Sequence, residues 1–370
     1  MLKVTMLKVV VASIMLTLLL CPFSLVIKTV DAQTSTITIF SDGTVDVSSG
    51  IQRDGNTYTL TTDLKLPIEV QKNGITLNGA NHTLQGPSIE SGLVGITLKA
   101  SNVVVTNFNI DRWSAGIYGA YNNNTITGNK FTDNDHAIAL YATDYVISKN
   151  TIQTSGSGVY IKDVFIPTGD TNLIINNQIS NNYWAFNIID SNGTIITQND
   201  VMDNDVILAL GSRSGVAGYH LIYLNNFVGN QQALHVHLPG PFVSDLPPLS
   251  PAGNWDNDKM GNYWHDYTTR YSNVSETSNS GIGDTAYLIE SEPIPWSSSG
   301  INGAEEGIAI LGKGVDRYPL ISPYSIATSP GSSSPNSSLP VEYVVAVILA
   351  VALLITVLIT ITYRQKHRQN

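Results

Sequence analysis

Asp111 and Asp133 are spaced by about one step of a sequence repeat, with Arg112, Asp135 and His136 beside them. Two carboxyls facing one another across such a step can act as general acid and as base or nucleophile in glycosidic cleavage. With Arg112 as base and calcium on the acids, the same group would suit a polysaccharide lyase. The plainer alternative is that Asp beside Asn at chain bends is ordinary turn chemistry. No third acid follows one step on, where the chain reads Thr154-Ser155-Gly156. The balance leans away from an enzyme, and no catalytic role is assigned.

A second group suits a soft metal. In the stretch LHVHL, His235 and His237 are two apart, so on a strand both imidazoles face the same side. Met260 and His265 join them if the following segment folds back, and imidazole with thioether is a copper ligand set. The plainer reading is a pair of histidines on an exposed strand. A third group is aromatic: Trp113, Tyr118, Tyr121, Tyr141, Tyr160 and Trp184 recur along the middle of the chain. Flat rings lined along a rod suit stacking on sugar rings, and contiguous exposed apolar surface marks contact sites. Non-catalytic binding of carbohydrate or an envelope partner is the favoured of the three functional readings.

The elements that must position these residues follow from a repeat. Small-apolar pairs recur at a constant interval, at Gly74-Ile75, Gly95-Ile96, Gly116-Ile117, Ala137-Ile138 and Gly158-Val159. A second signature, apolar-x-x-Asn-x-apolar, places Asn129, Asn150, Asn177, Asn199 and Asn225 at equivalent points; an earlier coil has Phe108 there. One long interval holds the insertion VFIPTGD (164–170). A period of about 21–22 residues with short alternating runs predicts three short strands per turn. The expected fold is all-β: a right-handed parallel β-helix of about seven coils, with the asparagines as an inward-facing structural ladder.

Composition and the chain ends set the context. The 370 residues carry a net charge of −10 and only 13% charged residues, against about 25% in an average domain. That balance excludes a basic nucleic-acid footprint, and the lone Cys21 excludes a disulfide framework. Lys3 and Lys8 before an apolar run predict a cleaved leader at 1–32. An N-terminal cap is expected at 33–70, the β-helix at 71–237, a C-terminal cap module at 238–324 and a Ser/Pro stalk at 325–340. The uncharged run from Tyr343 to Tyr363 predicts one transmembrane helix at 341–363. Arg364, Lys366 and Arg368 in the tail, 364–370, place that end in the cytoplasm. The expectation is a single-pass cell-membrane protein with its β-helix displayed outside. Five N-x-S/T sequons, at Asn81, Asn123, Asn192, Asn273 and Asn336, are compatible with that location.

The stretch YTLTTDLKLPIEVQKNGITLNGANHTLQG (58–86) resembles the opening coils of a NosD-type β-helix family, itself pectate-lyase-like in its solenoid. NWDNDKMGNYWHDY (254–267), GIGDTAYLI (281–289) and DRYPLISP (316–323) resemble the end of the same domain in order and spacing. The resemblance covers about residues 56–323. It implies the fold, and it implies either copper delivery or an archaeal-type surface role. Relatives commonly carry an acidic run resembling a calcium loop before GIGD, whereas TTRYSNVSETSNS (268–280) has Glu276 as its only acid. A calcium site would have to be gathered from Asp256, Asp258, Asp266 and Asp284, and six to eight oxygens are normally needed. The preferred reading makes Trp255, Tyr263, Trp264 and Tyr267 a small core, with the acids as caps and turns.

Overall fold

The computed structural model describes residues 35–45, 50–162, 171–211, 220–237, 253–291, 294–300, 303–309 and 313–326. The expected leader, the membrane helix, the tail, most of the stalk and the 164–170 insertion lie outside the described residues. Among the described residues no helix is long and apolar enough to cross a membrane.

Many of the three-residue strands bury only their middle side chain: Thr125-Ile126-Thr127 and Thr151-Ile152-Gln153 each bury the central isoleucine alone. Such strands gain stability only by stacking. Ile126 lies in parallel register between Val105 and Ile147, and Phe131 between Ile110 and Ile152. Repetition of this pattern gives three sheets, of nine, nine and eight strands, parallel throughout except for one hairpin at the N-terminal edge of the second. Seven complete coils run from Ile68 to Val228, as the period predicts.

Sheet 1 contains Val94–Leu98, Ala115–Gly119, His136–Leu140, Ser157–Lys162, Trp184–Ile189, Val206–Gly211 and Gln232–His237, among others. Gly95, Gly116, Ala137 and Gly158 all fall on its strands. Gly74-Ile75 does not: Ile96 pairs with Ile68, while Ile75 leads into the sheet 2 strand Thr76–Asn78. The extra length of the first coil sits around the short 3₁₀ turn Ile89–Ser91, which breaks the period there.

The corners explain the asparagines. Asn107, Gly128, Lys149, Asn176, Gln198 and Leu224 all have φ between 54° and 67°. Each immediately precedes one ladder position. Left-handed backbone costs a non-glycine residue roughly 1 kcal/mol, and the next side chain offsets it. Asn150 Nδ2 donates to Asn177 Oδ1 at 3.0 Å, and the Asn150 backbone N–H donates to the same oxygen at 3.0 Å. The pattern runs unbroken through Asn129, Asn150, Asn177, Asn199 and Asn225 to Asn262. Every one of these asparagines is buried.

Both ends are covered. Ile37–Ile39 pairs with Ile68–Val70, and the antiparallel hairpin Ile51–Asp54 with Thr57–Leu60 closes sheet 2. At the other end Tyr263–Trp264 extends sheet 3 beside Asn226–Phe227. Trp255, Trp264 and Tyr267 are buried there beside Phe227, the small core expected of the cap, while Tyr263 is only half-buried.

Candidate functional site

In sheet 1, Ile117, Ile138, Val159, Phe186 and Leu208 stack into the core. The next residue along each strand points away from that core, so Tyr118, Ala139, Tyr160, Asn187, Ala209 and His235 form one row, in which Ala139, Asn187 and Ala209 are buried and Tyr118, Tyr160 and His235 half-buried. Tyr118 and Tyr160 thus occupy one register position two coils apart, with a small Ala139 between them. Tyr141, exposed, bridges the gap: its ring centroid is 5.4 Å from Tyr118 and 6.2 Å from Tyr160. His136 stacks on Tyr160 at 4.5 Å with the planes 13° apart. These four rings form one ledge across coils three to five, and exposed Tyr121 lies at its edge in sequence. Gly119 is required beneath it, because a Cβ there would collide with the buried Tyr145 hydroxyl.

Trp184 lies in the row of His136, two coils on, and packs edge-on against Tyr183 at 4.6 Å. Tyr183 is more than half exposed and belongs to this face; its adjacency to Trp184 was the signal that sequence reading passed over. Trp113 does not belong to it. Its ring is wholly buried, and Nε1 donates to the Leu84 carbonyl at 2.9 Å. The expectation of Trp113 as an exposed stacking ring is corrected: the corner that turns His136 outward turns the Trp113 position inward.

The acids also fall out differently. Asp111 pairs in register with Thr132, not Asp133, so Asp133 lies one position beyond a full coil step. Asp133 instead shares its level with Arg112 and Thr154, and all three are left-handed bend residues, with φ of 53°, 59° and 52°. Asp111 is tied to Arg112 Nε at 3.1 Å and faces Gln85 Nε2 at 3.4 Å. Asp135 lies 4.0 Å from His136 Nε2. Burial holds His136 below the usual imidazole range, and its Nδ1 is buried without a hydrogen-bond partner among the described residues. The two acids are thus offset by one position rather than stacked in register.

At the C-terminal end the motifs carry a bonded network. Asp256 is buried and accepts from Arg317 Nε and from the Arg317 backbone N–H, both at 3.0 Å. Asp316, fully buried, accepts from the Asn262 backbone N–H at 2.7 Å and from Trp264 Nε1 at 2.9 Å. So NWDND, GNYW and DRYP are the parts of one clasp, and Asn262 at its centre is also the last rung of the asparagine ladder.

A family model described as periplasmic copper-binding protein (NosD) matches residues 50–269, more than half of the chain. The chain belongs to the NosD family. Compared with curated proteins, it matches none. The family match spans the hairpin, all seven coils and the first part of the clasp; GIGD and DRYP lie beyond it.

The family's description makes copper the group to test against this NosD chain. His235 and His237 lie on the last strand of sheet 1, in register with Ala209 and Gly211, and only the His237 backbone is described. His265 follows the last strand of sheet 3, where the Gly229 N–H reaches its Nδ1 at 3.5 Å. Met260 is exposed in the turn whose carbonyl accepts from Asn257. Among the described residues no three His, Cys, Asp or Glu side chains gather closely enough to hold a metal ion. Of the expected ligands, the His237 side chain lies outside the described residues, and the other three are spread over two sheets and a turn. The calcium acids are also committed elsewhere. Asp256 and Asp258 both hold Arg317, Asp266 accepts the Tyr287 hydroxyl, and Asp284 bonds Ser275 and Thr285.

Proposed function

We propose that this NosD-family β-helix is a non-catalytic binding protein displayed at the cell envelope, with an extended carbohydrate as its ligand on the outer face of sheet 1. The observation that carries this reading is the ledge of Tyr118, Tyr141, Tyr160 and His136, which places flat rings along the rod axis on one face. Two coil steps amount to roughly 10 Å at the strand spacing, which suits one disaccharide unit of an extended chain. Aromatic rings stack on the C–H faces of sugars at little conformational cost. The leader at 1–32 and the apolar run at 341–363 supply the display and tether in this reading.

The test is binding of the full chain, in detergent, to soluble envelope polysaccharides by affinity electrophoresis. Retardation by at least one neutral polysaccharide is expected, and it is expected to disappear in the Tyr118→Ala/Tyr160→Ala double variant. Retardation that survives the double variant would move the ligand off this face. The copper reading keeps the support of the family's description alone, and a Cu²⁺-dependent rise in melting temperature that His235→Ala abolishes would restore it.

A further inference from the structure

A second concavity lies away from the sheet 1 ledge, where three segments meet at the end of the rod. Residues from 230–233, 264–270 and 287–291 line an open cleft of about 290 Å³. Ile207, Phe227 and Trp264 lie beneath it, each almost wholly buried, and the open surface of the cleft is more polar than apolar. Its rim is polar, with Gln231, His265 and Arg270.

Arg270 is held in place. Its guanidinium carbon lies 4.8 Å over the Tyr287 ring, and Trp264 stacks on Tyr287 at 4.2 Å with the planes 5° apart. Two groups that close to one ring take its opposite faces, so guanidinium, phenol and indole form three layers. Asp266 and Glu290 also line the cleft, and the charge of Asp266 acts on Arg270. Both Asp266 oxygens lie within 3.2 Å of the Tyr287 hydroxyl, and Glu290 pairs with Lys313 at 3.6 Å. Among the described residues no carboxylate lies within ion-pair distance of Arg270.

A planar guanidinium with no carboxylate in ion-pair contact, fixed over the Tyr287 ring at the rim of a polar cleft, matches a ligand with a carboxylate on a hydroxylated ring. The volume is at the small end for ligand pockets, which fits one ring rather than a chain. We infer that this cleft binds a sugar acid of the hexuronate kind, with Arg270 taking the carboxylate and the polar rim taking the ring hydroxyls.

The test titrates the full chain with free glucuronate, following the protein's Trp fluorescence, with glucose as the neutral control. Glucuronate is expected to saturate the signal, and glucose to bind more weakly by about tenfold or more, the worth of one charged bidentate contact. Arg270→Gln should abolish the preference for the acid. Arg270→Lys, which keeps the charge and loses the fork, should fall between. Tyr160→Ala should leave glucuronate binding unchanged, so failure here and failure of the ledge are separable. Equal affinity for the two sugars, or no saturable binding of glucuronate, would overturn the inference. If Arg270→Gln does not fold, wild-type affinity in a folded Arg270→Lys variant would overturn it as well.

Discussion

Asp256 and Arg317, far apart in sequence, are joined through the Arg317 side chain and its backbone N–H together. The carboxylate is buried while the guanidinium is half exposed. Removing the arginine therefore leaves a buried charge with only the Asp258 and Arg317 backbone N–H groups as donors.

Arg317→Ala is expected to destabilise the C-terminal clasp by about 2–3 kcal/mol, less than the full penalty for an uncompensated buried ion because those donors remain. Arg317→Lys should recover part of it. Thermal melts, with proteolysis mapping of the first site cut, check this. A melt unchanged in Arg317→Ala would mean that the clasp adds nothing to the fold.

The asparagine ladder makes a sharper claim. Asn177 accepts two bonds from Asn150 and donates to Asn199 Oδ1 and the Ile147 carbonyl, all at 2.9–3.0 Å. Asn177→Ala strands two buried N–H groups of Asn150 on one side and takes a donor from two acceptors on the other, at an expected cost of about 3 kcal/mol. Asn177→Asp should cost at least as much, since its carboxylate meets the Asn199 oxygen where an N–H was. Denaturant unfolding of the two variants measures both.

Two buried groups give the stability curve opposing pH slopes. His220 is fully buried, and burial pushes its imidazole down to about 4, with a weaker opposing effect from Ser191. The unfolded chain then binds the extra proton between about 4 and the ordinary 6.5, so this group stabilises above 6.5 and loses that contribution as pH falls through the window. Burial pushes Asp316 up to about 7 despite the N–H donors of Asn262, Trp264 and Tyr318. Here the folded chain holds the extra proton between the ordinary 3.8 and about 7, so its contribution is present at low pH and lost as pH rises. Each amounts to about 3–4 kcal/mol over its window. The wild type should be nearly level between about pH 4.5 and 6.5, where the two slopes oppose. His220→Gln should become less stable as pH rises across that range, and Asp316→Asn more stable. Urea melts at several pH values read the slopes directly, independent of any fixed loss in each variant.

Trp113 and the ledge tyrosines should separate cleanly. Trp113→Ala empties a wholly buried site and is expected to cost about 3–5 kcal/mol. Tyr118→Ala/Tyr160→Ala removes outward rings and should leave the midpoint close to wild type. If Trp113→Ala melts like wild type, the corner assignment that buries it is wrong.

Much of the fold is legible in advance because a coil has few ways to satisfy itself. The asparagine signature marks every ladder residue from Asn129 to Asn225. A second stack lies outside that signature: Asn134, Ser155, Asn182, Asn204 and Asn230 bond to one another at the next corner. Its signal is present, since each member follows a ladder residue by the same short offset. That offset in the other direction gives Asn124, Tyr145, Asn172, Thr194 and His220, which places His220 at a buried corner. The second stack includes a serine and the third admits Tyr, Thr and His, so residue type no longer repeats although position does.

The amino-acid pattern alone specifies the coil: its repeat period, its single inward side chain per short strand, and the asparagines that make each corner self-sufficient. All of these are local or one coil away, and hydrophobic alternation encodes them. Folding in three dimensions settles which side chains share a level and which way each turns at a corner. A one-position slip separates Asp111 from Asp133, and one left-handed residue sends Trp113 inward. The pairing of Asp256 with Arg317, and the Arg270–Tyr287–Trp264 stack in the cleft, likewise depend on how distant segments close over the last coil. Side-chain direction alternates with every residue, so an error of one position in register reverses a functional reading while leaving the fold intact.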